Sequence, residues 1–220
     1  MGTWMDGYLE RLEANRRENL SGGGQDRIDL QHSLGKLTAR ERIDKLVDAG
    51  SFDEIGSLVR DSRPPYDGQA RPSPGEGVVM GFATVKGRPV MLFSMDFTVM
   101  SGSLGTQGVW KIAELVQMAG QEQVPIFGMI DSAGSRISFK WGSAGLNGMG
   151  RLIRNYCLYS GIIPQITMLL GPCTGPMAQI ATLSDILIMS EDTGFLWLGG
   201  KIESDDAGRA DFHMSRSGQC

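Results

Sequence analysis

The sequence predicts an α/β fold with parallel strands covered by helices, preceded by a helical N-terminal arm. Three observations lead to this prediction. Strand-like and helix-like segments alternate over residues 77–200, as in a series of βαβ units. The segment VPIFGMID at 124–131 is continuously apolar, as a parallel strand covered on both faces requires. Gly-rich stretches follow three predicted strands, at the sheet edge where such folds bind ligands.

Residues 1–59 are predicted to form the helical arm. Residues 5–19 have the pattern of an exposed helix, which the glycine-rich stretch SGGGQ ends. Apolar residues recur at helical spacing over residues 26–47. Thr38 and Glu41 have the spacing of a capping box, so we expect a helix to begin there.

Residues 60–75 are rich in proline and lack apolar periodicity, which predicts a surface loop. The α/β pattern occupies residues 76–220, and its first two strands are joined by KGRP, as in a hairpin. The predicted elements are strands at 77–85 and 89–97, a helix at 106–121, a strand at 124–131, a helix at 145–161, a strand at 163–171, a helix at 175–184 and a strand at 185–190. On the helix at 106–121 one apolar face is expected, formed by Val109, Ile112, Ala113, Val116 and Ala119.

Composition narrows the function classes. The chain has 220 residues, enough for one substantial domain. Its net charge of −4 argues against a nucleic-acid partner. We expect no membrane insertion, because no apolar run approaches the length of a membrane-spanning helix. The N-terminus lacks the apolar core of a signal peptide, and three widely spaced cysteines fit neither a disulfide framework nor a zinc site. A cytoplasmic location is therefore predicted.

The three Gly-rich stretches are SGSLG at 101–105, SAGS at 132–135 and GPCTGP at 171–176. They hold few of the usual catalytic side chains, since His32 and His213 both lie elsewhere. Their sequences do not match a nucleophile elbow, a P-loop or a complete dinucleotide fingerprint. Cys173 has no histidine near it in the sequence, and a packing role is its commoner interpretation. Asp131 and Asp185 flank strands, where turn or cap chemistry is expected.

The backbone of these stretches remains as a source of chemistry. Successive N–H groups on small residues at a strand end can hold an oxyanion. The alternative is that the glycines serve only close packing between helices and strands. The residue pattern alone leaves both interpretations open.

Five segments carry a resemblance to a known family: RIDLQHSLGKLTARERIDKLVDAGSFDEI at 27–55, FSMDFTVMSGSLG at 93–105, DSAGSRI at 131–137, GIIPQITMLLGPCTGP at 161–176 and DTGFLWLGG at 192–200. In this order they resemble the carboxyltransferase component of biotin-dependent acyl-CoA carboxylases and decarboxylases, of the propionyl-CoA, methylcrotonoyl-CoA and glutaconyl-CoA type. The resemblance implies a crotonase-like fold of ββα superhelical units. It also implies that residues 76–220 are the N-terminal, acyl-CoA-binding domain, in incomplete form.

The resemblance also implies a site. The family's usual D-S-G-G-A-R-I matches DSAGSRI, so the amides of Ala133 and Gly134 are expected to hold the thioester oxygen. Substrate-binding roles are implied for Ser101, Gly102, Ser103, Ser135, Arg136, Cys173, Thr174 and Gly175. The implied cofactor is carboxybiotin on a partner carrier protein. The urea group of biotin, freed when the carboxyl group leaves, would act as the base. This accounts for the absence of an acid–base pair in the three Gly-rich stretches. No metal is expected in this chain.

Three departures from the family pattern bear on the site. Ala133 and Ser135 replace the usual Gly and Ala, and both remain small. Pro176 replaces a Gly and removes one backbone donor. The segment 201–220 fits the family's glycine-rich closing segment loosely.

The implied partners are acyl-CoA, a C-terminal carboxyltransferase half, and the biotin carboxyl carrier and biotin carboxylase subunits, within an oligomer. The C-terminal half would be a separate chain or a missing domain. Two alternatives stay open: a non-catalytic assembly subunit of a carboxylase complex, and a crotonase-type hydratase, isomerase or thioesterase. A crotonase-type hydratase, isomerase or thioesterase would need a carboxylate or histidine beside the thioester.

Overall fold

The computed structural model describes residues 4–60, 73–136, 142–199 and 206–220. The helices are α1 (Trp4–Leu20), α2 (Gln25–Ser33), α3 (Ala39–Leu46), α4 (Thr106–Glu122), α5 (Gly142–Tyr159), α6 (Pro176–Thr182) and α7 (Ala210–Phe212). The strands are β1 (Asp53–Ile55), β2 (Val78–Val85), β3 (Arg88–Met95), β4 (Ile126–Ser132), β5 (Gln165–Thr174), β6 (Ile186–Met189) and β7 (Phe195–Trp197). The predicted helices and strands are confirmed in type and order. No helix in these ranges is both long and apolar enough to span a bilayer.

The described strands form one mixed sheet in the order β1-β2-β3-β4-β5-β6. Strand β7 pairs with the last residues of β5, past the part of β5 that pairs with β6. The pairs β1–β2 and β2–β3 are antiparallel, and the pairs from β3 onward are parallel. Lys86 and Gly87 form the predicted hairpin turn with φ of 51° and 74°, the positive values that a tight two-residue hairpin favours. Parallel strands β3, β4 and β5 therefore carry their carboxyl ends to one edge.

Helices cover both faces of the sheet. On one face the predicted apolar stripe of α4 is fully buried against the strands, with α5 and α6 beside it. On the other face α3 contributes Ala39 and Ile43, which pack with Val79, Leu92 and Met129. The arm thus supplies part of the core, because α3 covers apolar strand positions that would otherwise face water.

The turn between α1 and α2 docks onto the loop after β3. The Gly23 amide donates to Thr98 Oγ1 at 2.9 Å. A Cβ on Gly23 would overlap the Thr98 carbonyl, so only glycine allows this approach. The predicted helix break is therefore also a contact that fixes the arm. The predicted capping box is present, since Thr38 Oγ1 accepts from the Glu41 amide and the Glu41 carboxylate accepts from the Thr38 amide.

One predicted strand end is wrong, and the predicted Pro-rich loop is only partly described. Most of the Pro-rich segment, residues 61–72, lies outside the described residues, but Ser73, Pro74 and Gly75 are buried and lead into a tight turn. Strand β5 runs to Thr174, past the predicted end at 171, because it also pairs with β7. Most of GPCTGP is therefore strand. The division of the chain at residues 59 and 75 stays a prediction.

Candidate functional site

A cleft of about 680 Å³ lies at the carboxyl ends of β3 and β4, between these strand ends and the arm. Its lining comes from three segments: Gly22, Gly23 and Arg27 of the arm; Thr98, Val99, Met100, Ser101 and Ser103 after β3; and Ala133, Ser135 and Arg136 after β4. This is the sheet edge at which the sequence predicts a site. The wall supplied by the arm was not predicted.

The structure brings together half of the predicted site residues. Ser101, Ser103, Ala133, Ser135 and Arg136 line the cleft. Gly102 and Gly134 are buried in the adjoining loops, and Gly102 passes so close to the Asp131 carbonyl that a Cβ would overlap it. Cys173, Thr174 and Gly175 are not part of its lining.

We call residues 101–104 and 133–136 the two site loops. Backbone hydrogen bonds join them: Leu104 donates to the Gly134 carbonyl at 2.8 Å, and the Arg136 amide donates to the Leu104 carbonyl at 3.0 Å. The Ser132 hydroxyl adds a bond to the Gly102 carbonyl at 2.8 Å. The two loops therefore form one connected layer, and a shift in one displaces the other.

The amides predicted to hold the thioester oxygen already have acceptors. Ala133 donates to the Ser101 carbonyl at 3.0 Å, and Gly134 donates to Ser132 Oγ at 3.1 Å. The Ser135 amide has no acceptor among the described residues, and Ser135 lines the cleft. In this conformation an oxyanion could bind to the amides of Ala133 and Gly134 only by displacing their present acceptors.

Gly134 has a φ of 102°, a conformation that side chains strongly disfavour. A Cβ on Gly134 would also lie 2.8 Å from Thr174 Oγ1. Thr174 is the last residue of β5, so this contact joins the loop after β4 to the next strand. Both conformation and packing require glycine at 134.

Arg136 lies along the cleft with its guanidinium held by protein atoms. Nη1 pairs with Glu76 Oε1 at 2.6 Å, and Nη2 donates to the Ser103 carbonyl at 3.0 Å. Nε donates to Ser103 Oγ at 3.3 Å. Three of the five guanidinium N–H groups are therefore engaged with described residues. The predicted substrate-binding role of Arg136 stays a prediction.

Asp131 is the centre of a buried ion cluster that sequence reasoning missed. Its carboxylate accepts from Lys36 Nζ at 2.8 Å, Arg42 Nη2 at 2.7 Å and Gln31 Nε2 at 2.9 Å. A Cβ on Gly171 would overlap this carboxylate. The one available signal was Arg42, a charged residue beside Ile43 on the face of α3 that packs on the sheet. The cluster ties the arm to the strand that carries the second site loop.

Lys111 was also missed. It points from α4 into the protein, where Nζ donates to the Gly75 and Val78 carbonyls at 2.7 and 2.6 Å. Burial lowers the pKa of Lys111 to about 8, against the opposing effect of Glu54 and Glu76. This ammonium holds the turn at Pro74–Gly77, which carries Glu76.

The residues set aside as non-catalytic lie away from the cleft. His32 pairs with Glu41 on the arm, and His213 contacts the Leu196 carbonyl. Cys173 is fully buried in the core, and burial raises the pKa of its thiol. The Asp185 carboxylate accepts from the Gln165 amide at 2.8 Å, in agreement with a capping role. In the described ranges, no three His, Cys, Asp or Glu residues are grouped to hold a metal ion.

Pro176 begins α6 at a position where the missing amide proton would have no partner within the helix. The departure from the family's glycine therefore leaves the local fold intact. Gly175 before it has a φ of 58° and donates its amide to the Trp197 carbonyl at 3.0 Å.

Comparison with known proteins was made by sequence and by structure. A family model described as the carboxyl transferase domain matches residues 30–220. The propionyl-CoA carboxylase beta chain of Roseobacter denitrificans is 37% identical over 223 residues, which cover 97% of this chain and 43% of that protein. The methylmalonyl-CoA carboxyltransferase 12S subunit of Propionibacterium freudenreichii subsp. shermanii is 35% identical, with 99% and 43% covered. The chain spans less than half the length of these curated relatives.

Among solved structures, the transcarboxylase 12S subunit crystallised with methylmalonyl-coenzyme A and methylmalonic acid superposes with a TM-score of 0.90 at 34% identity. The match covers 100% of this chain and 44% of that one. The beta subunit of P. aeruginosa geranyl-CoA carboxylase superposes with a TM-score of 0.81 at 22% identity, which supports the fold alone. The match to it covers 98% of this chain and 40% of that subunit.

Proposed function

Because the chain belongs to the carboxyl transferase domain family, we propose that it is the acyl-CoA-binding half of a biotin-dependent carboxyltransferase. Its fold is crotonase-like, as the resemblance implied, with the helical arm added at the N-terminus. The proposed reaction moves a carboxyl group between carboxybiotin and the α-carbon of an acyl-CoA thioester.

The observation that carries this proposal is the composition of the cleft. Its lining holds small residues of the two site loops (Ser101, Ser103, Ala133 and Ser135), Thr98, Val99 and Met100 after β3, and the exposed Arg27 of the arm. No carboxylate or imidazole lines it within the described residues. Such a cleft suits a polyanionic ligand whose reacting oxygen is stabilised by amides, and whose proton is taken by a group from outside the chain.

The chain's own contribution is to bind the thioester and to stabilise the enolate oxygen. The second site loop offers the amides of Ala133, Gly134 and Ser135 for this purpose, and the first loop offers Ser101 and Ser103 to the rest of the ligand. Carboxybiotin, when bound, would supply the carboxyl group and the base. Ala133 and Gly134 would have to exchange their present acceptors for the thioester oxygen.

The proposed partners follow the same argument. A C-terminal carboxyltransferase half would hold the biotin, and the biotin carboxyl carrier and biotin carboxylase subunits would charge it. We further propose that the assembled enzyme is an oligomer, in keeping with the hexamer assembly named for the transcarboxylase 12S structure. The cytoplasmic location expected from the sequence stays a prediction.

One observation favours the alternative of a non-catalytic assembly subunit. The amides of Ala133 and Gly134 are already satisfied by Ser101 and Ser132, so the resting loop is not open to an oxyanion. The two functions differ in whether the chain binds a thioester at the cleft.

Calorimetric titration separates them. We expect the purified chain to bind propionyl-CoA saturably. Ser135→Pro should weaken this binding, because it removes an amide that has no acceptor among the described residues. His213→Ala, which changes a residue away from the cleft, is the control. A folded chain that binds neither propionyl-CoA nor acetyl-CoA would leave the assembly role as the better account.

A further inference from the structure

We propose that Glu76 and Arg136 form a brace that sets the shape of the two site loops, so that Arg136 acts as a positioning residue and not as a ligand for the substrate's phosphates. This inference rests on the proposed function, since it concerns how the cleft is prepared for an acyl-CoA. We call this ion pair the Glu76–Arg136 brace.

The Arg136 end of the brace joins the two loops. Its side chain starts from the second loop and reaches the first, where it donates to both the carbonyl and the hydroxyl of Ser103. The remaining nitrogen pairs with Glu76 at 2.6 Å. The planar guanidinium thus makes three contacts in fixed directions, which a lysine could not reproduce.

The Glu76 end is buried and held in an uncommon conformation. Glu76 has a φ of 58°, between Gly75 and Gly77 at 57° and 68°. A left-handed conformation is unfavourable for a residue with a side chain, so it persists only where the surroundings hold it. Lys111 supplies that hold, because its ammonium binds the carbonyls of Gly75 and Val78 on either side.

Gly105 leaves room for the pair. A Cβ there would overlap Glu76 Oε2 and lie 2.8 Å from Arg136 Nη1. Oε2 has no hydrogen-bond partner among the described residues and faces the start of α4, where the helix dipole favours a carboxylate. The carboxylate is therefore aimed at Arg136. Four segments meet at this buried contact: the turn at Pro74–Gly77, the two site loops and the start of α4.

The accessible cation of the cleft is a different residue. Arg27 lies on α2, is exposed, and makes no ion pair with another described residue. The Arg136 side chain is 10% exposed, and each of its guanidinium nitrogens already donates to Glu76 or Ser103. A phosphate entering the cleft can approach Arg27 without breaking an ion pair to another described residue, whereas at Arg136 it would compete with Glu76 and Ser103.

The two roles of Arg136 predict opposite effects of Glu76→Gln. If Arg136 were a phosphate ligand, loss of the Glu76 charge would free it, and propionyl-CoA would bind more tightly. If Arg136 is a brace, the same change loosens the loops and weakens binding. Propionyl-pantetheine, which lacks the phosphates, should then lose affinity to the same extent.

The experiment compares Glu76→Gln and Arg136→Lys with Glu114→Gln in the purified chain. Glu114→Gln is the control. It also removes one carboxylate charge, from a residue of α4 that lies away from the cleft and pairs with Arg151 of α5 at 2.7 Å. Amide hydrogen exchange is measured at the two site loops and at core strand β4, and both thioesters are titrated calorimetrically. Arg136→Lys keeps a positive charge beside Glu76, so it can replace Glu76→Gln as the test variant if Glu76→Gln does not fold.

We expect exchange at the site loops to accelerate about tenfold or more in both brace variants, with the β4 core unchanged, because a charged hydrogen bond is lost. Both thioesters should lose affinity by a similar factor, and Glu114→Gln should change neither measurement. Unchanged loop exchange, tighter propionyl-CoA binding in Glu76→Gln, or a loss confined to propionyl-CoA would overturn the brace. A wild-type chain that binds no thioester would refute the proposed function, and loop exchange would still decide whether the brace exists.

Discussion

Arg42 Nη2 lies 2.7 Å from Asp131 Oδ2, in a contact that is almost wholly shielded from water. It joins α3 of the arm to the end of β4, two residues before the cleft-lining Ala133. Lys36 binds the other carboxylate oxygen at 2.8 Å, so two buried cations share one buried carboxylate. The arm is therefore fixed to the strand that positions the second site loop.

Asp131→Asn should destabilise the chain by about 3–5 kcal/mol, since it removes the carboxylate that binds two buried cations. Urea unfolding measures this. Asp44→Asn is the control: Asp44 is exposed on α3, and its change should stay within about 0.5 kcal/mol. A loss below about 1 kcal/mol for Asp131→Asn would show that this carboxylate does not stabilise the two cations.

Gly23→Ala should undock the arm, because the new Cβ would overlap the Thr98 carbonyl. We expect loss of stability and faster amide exchange in residues 96–99, which form part of the cleft wall. Gly7→Ala in α1 is the matched control, since a Cβ there meets open space and alanine favours a helix by about 0.5–1 kcal/mol. Equal behaviour of the two variants would contradict the docked turn.

Lys111 should leave a signature in the pH dependence of stability. Its folded-state pKa of about 8 lies below the ordinary value of 10.5, so between these pH values the unfolded chain binds more protons. The free energy of unfolding should therefore rise with pH across that interval, by about 3 kcal/mol from this group. Glu54, Glu76 and Arg40 are the charges that act on it.

The measurement is urea unfolding from pH 7.5 to 10.5 in the wild type and in Lys111→Met. The variant should lack this rise, whatever its offset in stability at pH 7.5. Parallel curves for the two proteins would mean that Lys111 titrates as an exposed lysine does.

Cys173 should be chemically inert in the folded chain. It is fully buried and its thiol pKa is raised by burial, whereas Cys157 on α5 is exposed. Mass spectrometry after brief iodoacetamide treatment at pH 8 should find Cys157 alkylated and Cys173 unmodified until urea is added. Comparable labelling of the two in the absence of urea would contradict the buried position of Cys173.

Local pattern predicted most of the elements but not β1, β7 or α7. The apolar stripe of α4, the hairpin and the capping box each depend on residues near one another in the sequence. The contacts that shape the cleft join residues that are far apart in the sequence. Asp131 meets Lys36 across 95 positions and Arg136 meets Glu76 across 60. Nothing in the local sequence of Asp131 or Glu76 distinguishes a buried partner from a turn residue, so only the folded chain reveals them.

The glycines show the same limit. Sequence reasoning left open whether they serve an oxyanion or close packing, and the structure demonstrates packing at Gly102 and Gly134. The hydrogen bonds of Ala133 and Gly134 to neighbouring loop atoms were beyond any sequence pattern. The oxyanion role therefore has to be tested on the bound thioester itself.

Isotope-edited infrared spectroscopy of propionyl-CoA, labelled with ¹³C at the thioester carbonyl, tests this role most directly. At saturating protein, hydrogen bonds from the amides of residues 133–135 should lower the carbonyl stretching frequency. Gly134→Val should abolish the shift, since it forces a side chain against Thr174 at a φ that disfavours it, while His213→Ala should keep it. A bound thioester whose frequency equals that in water, or a folded Gly134→Val that retains the full shift, would contradict the account.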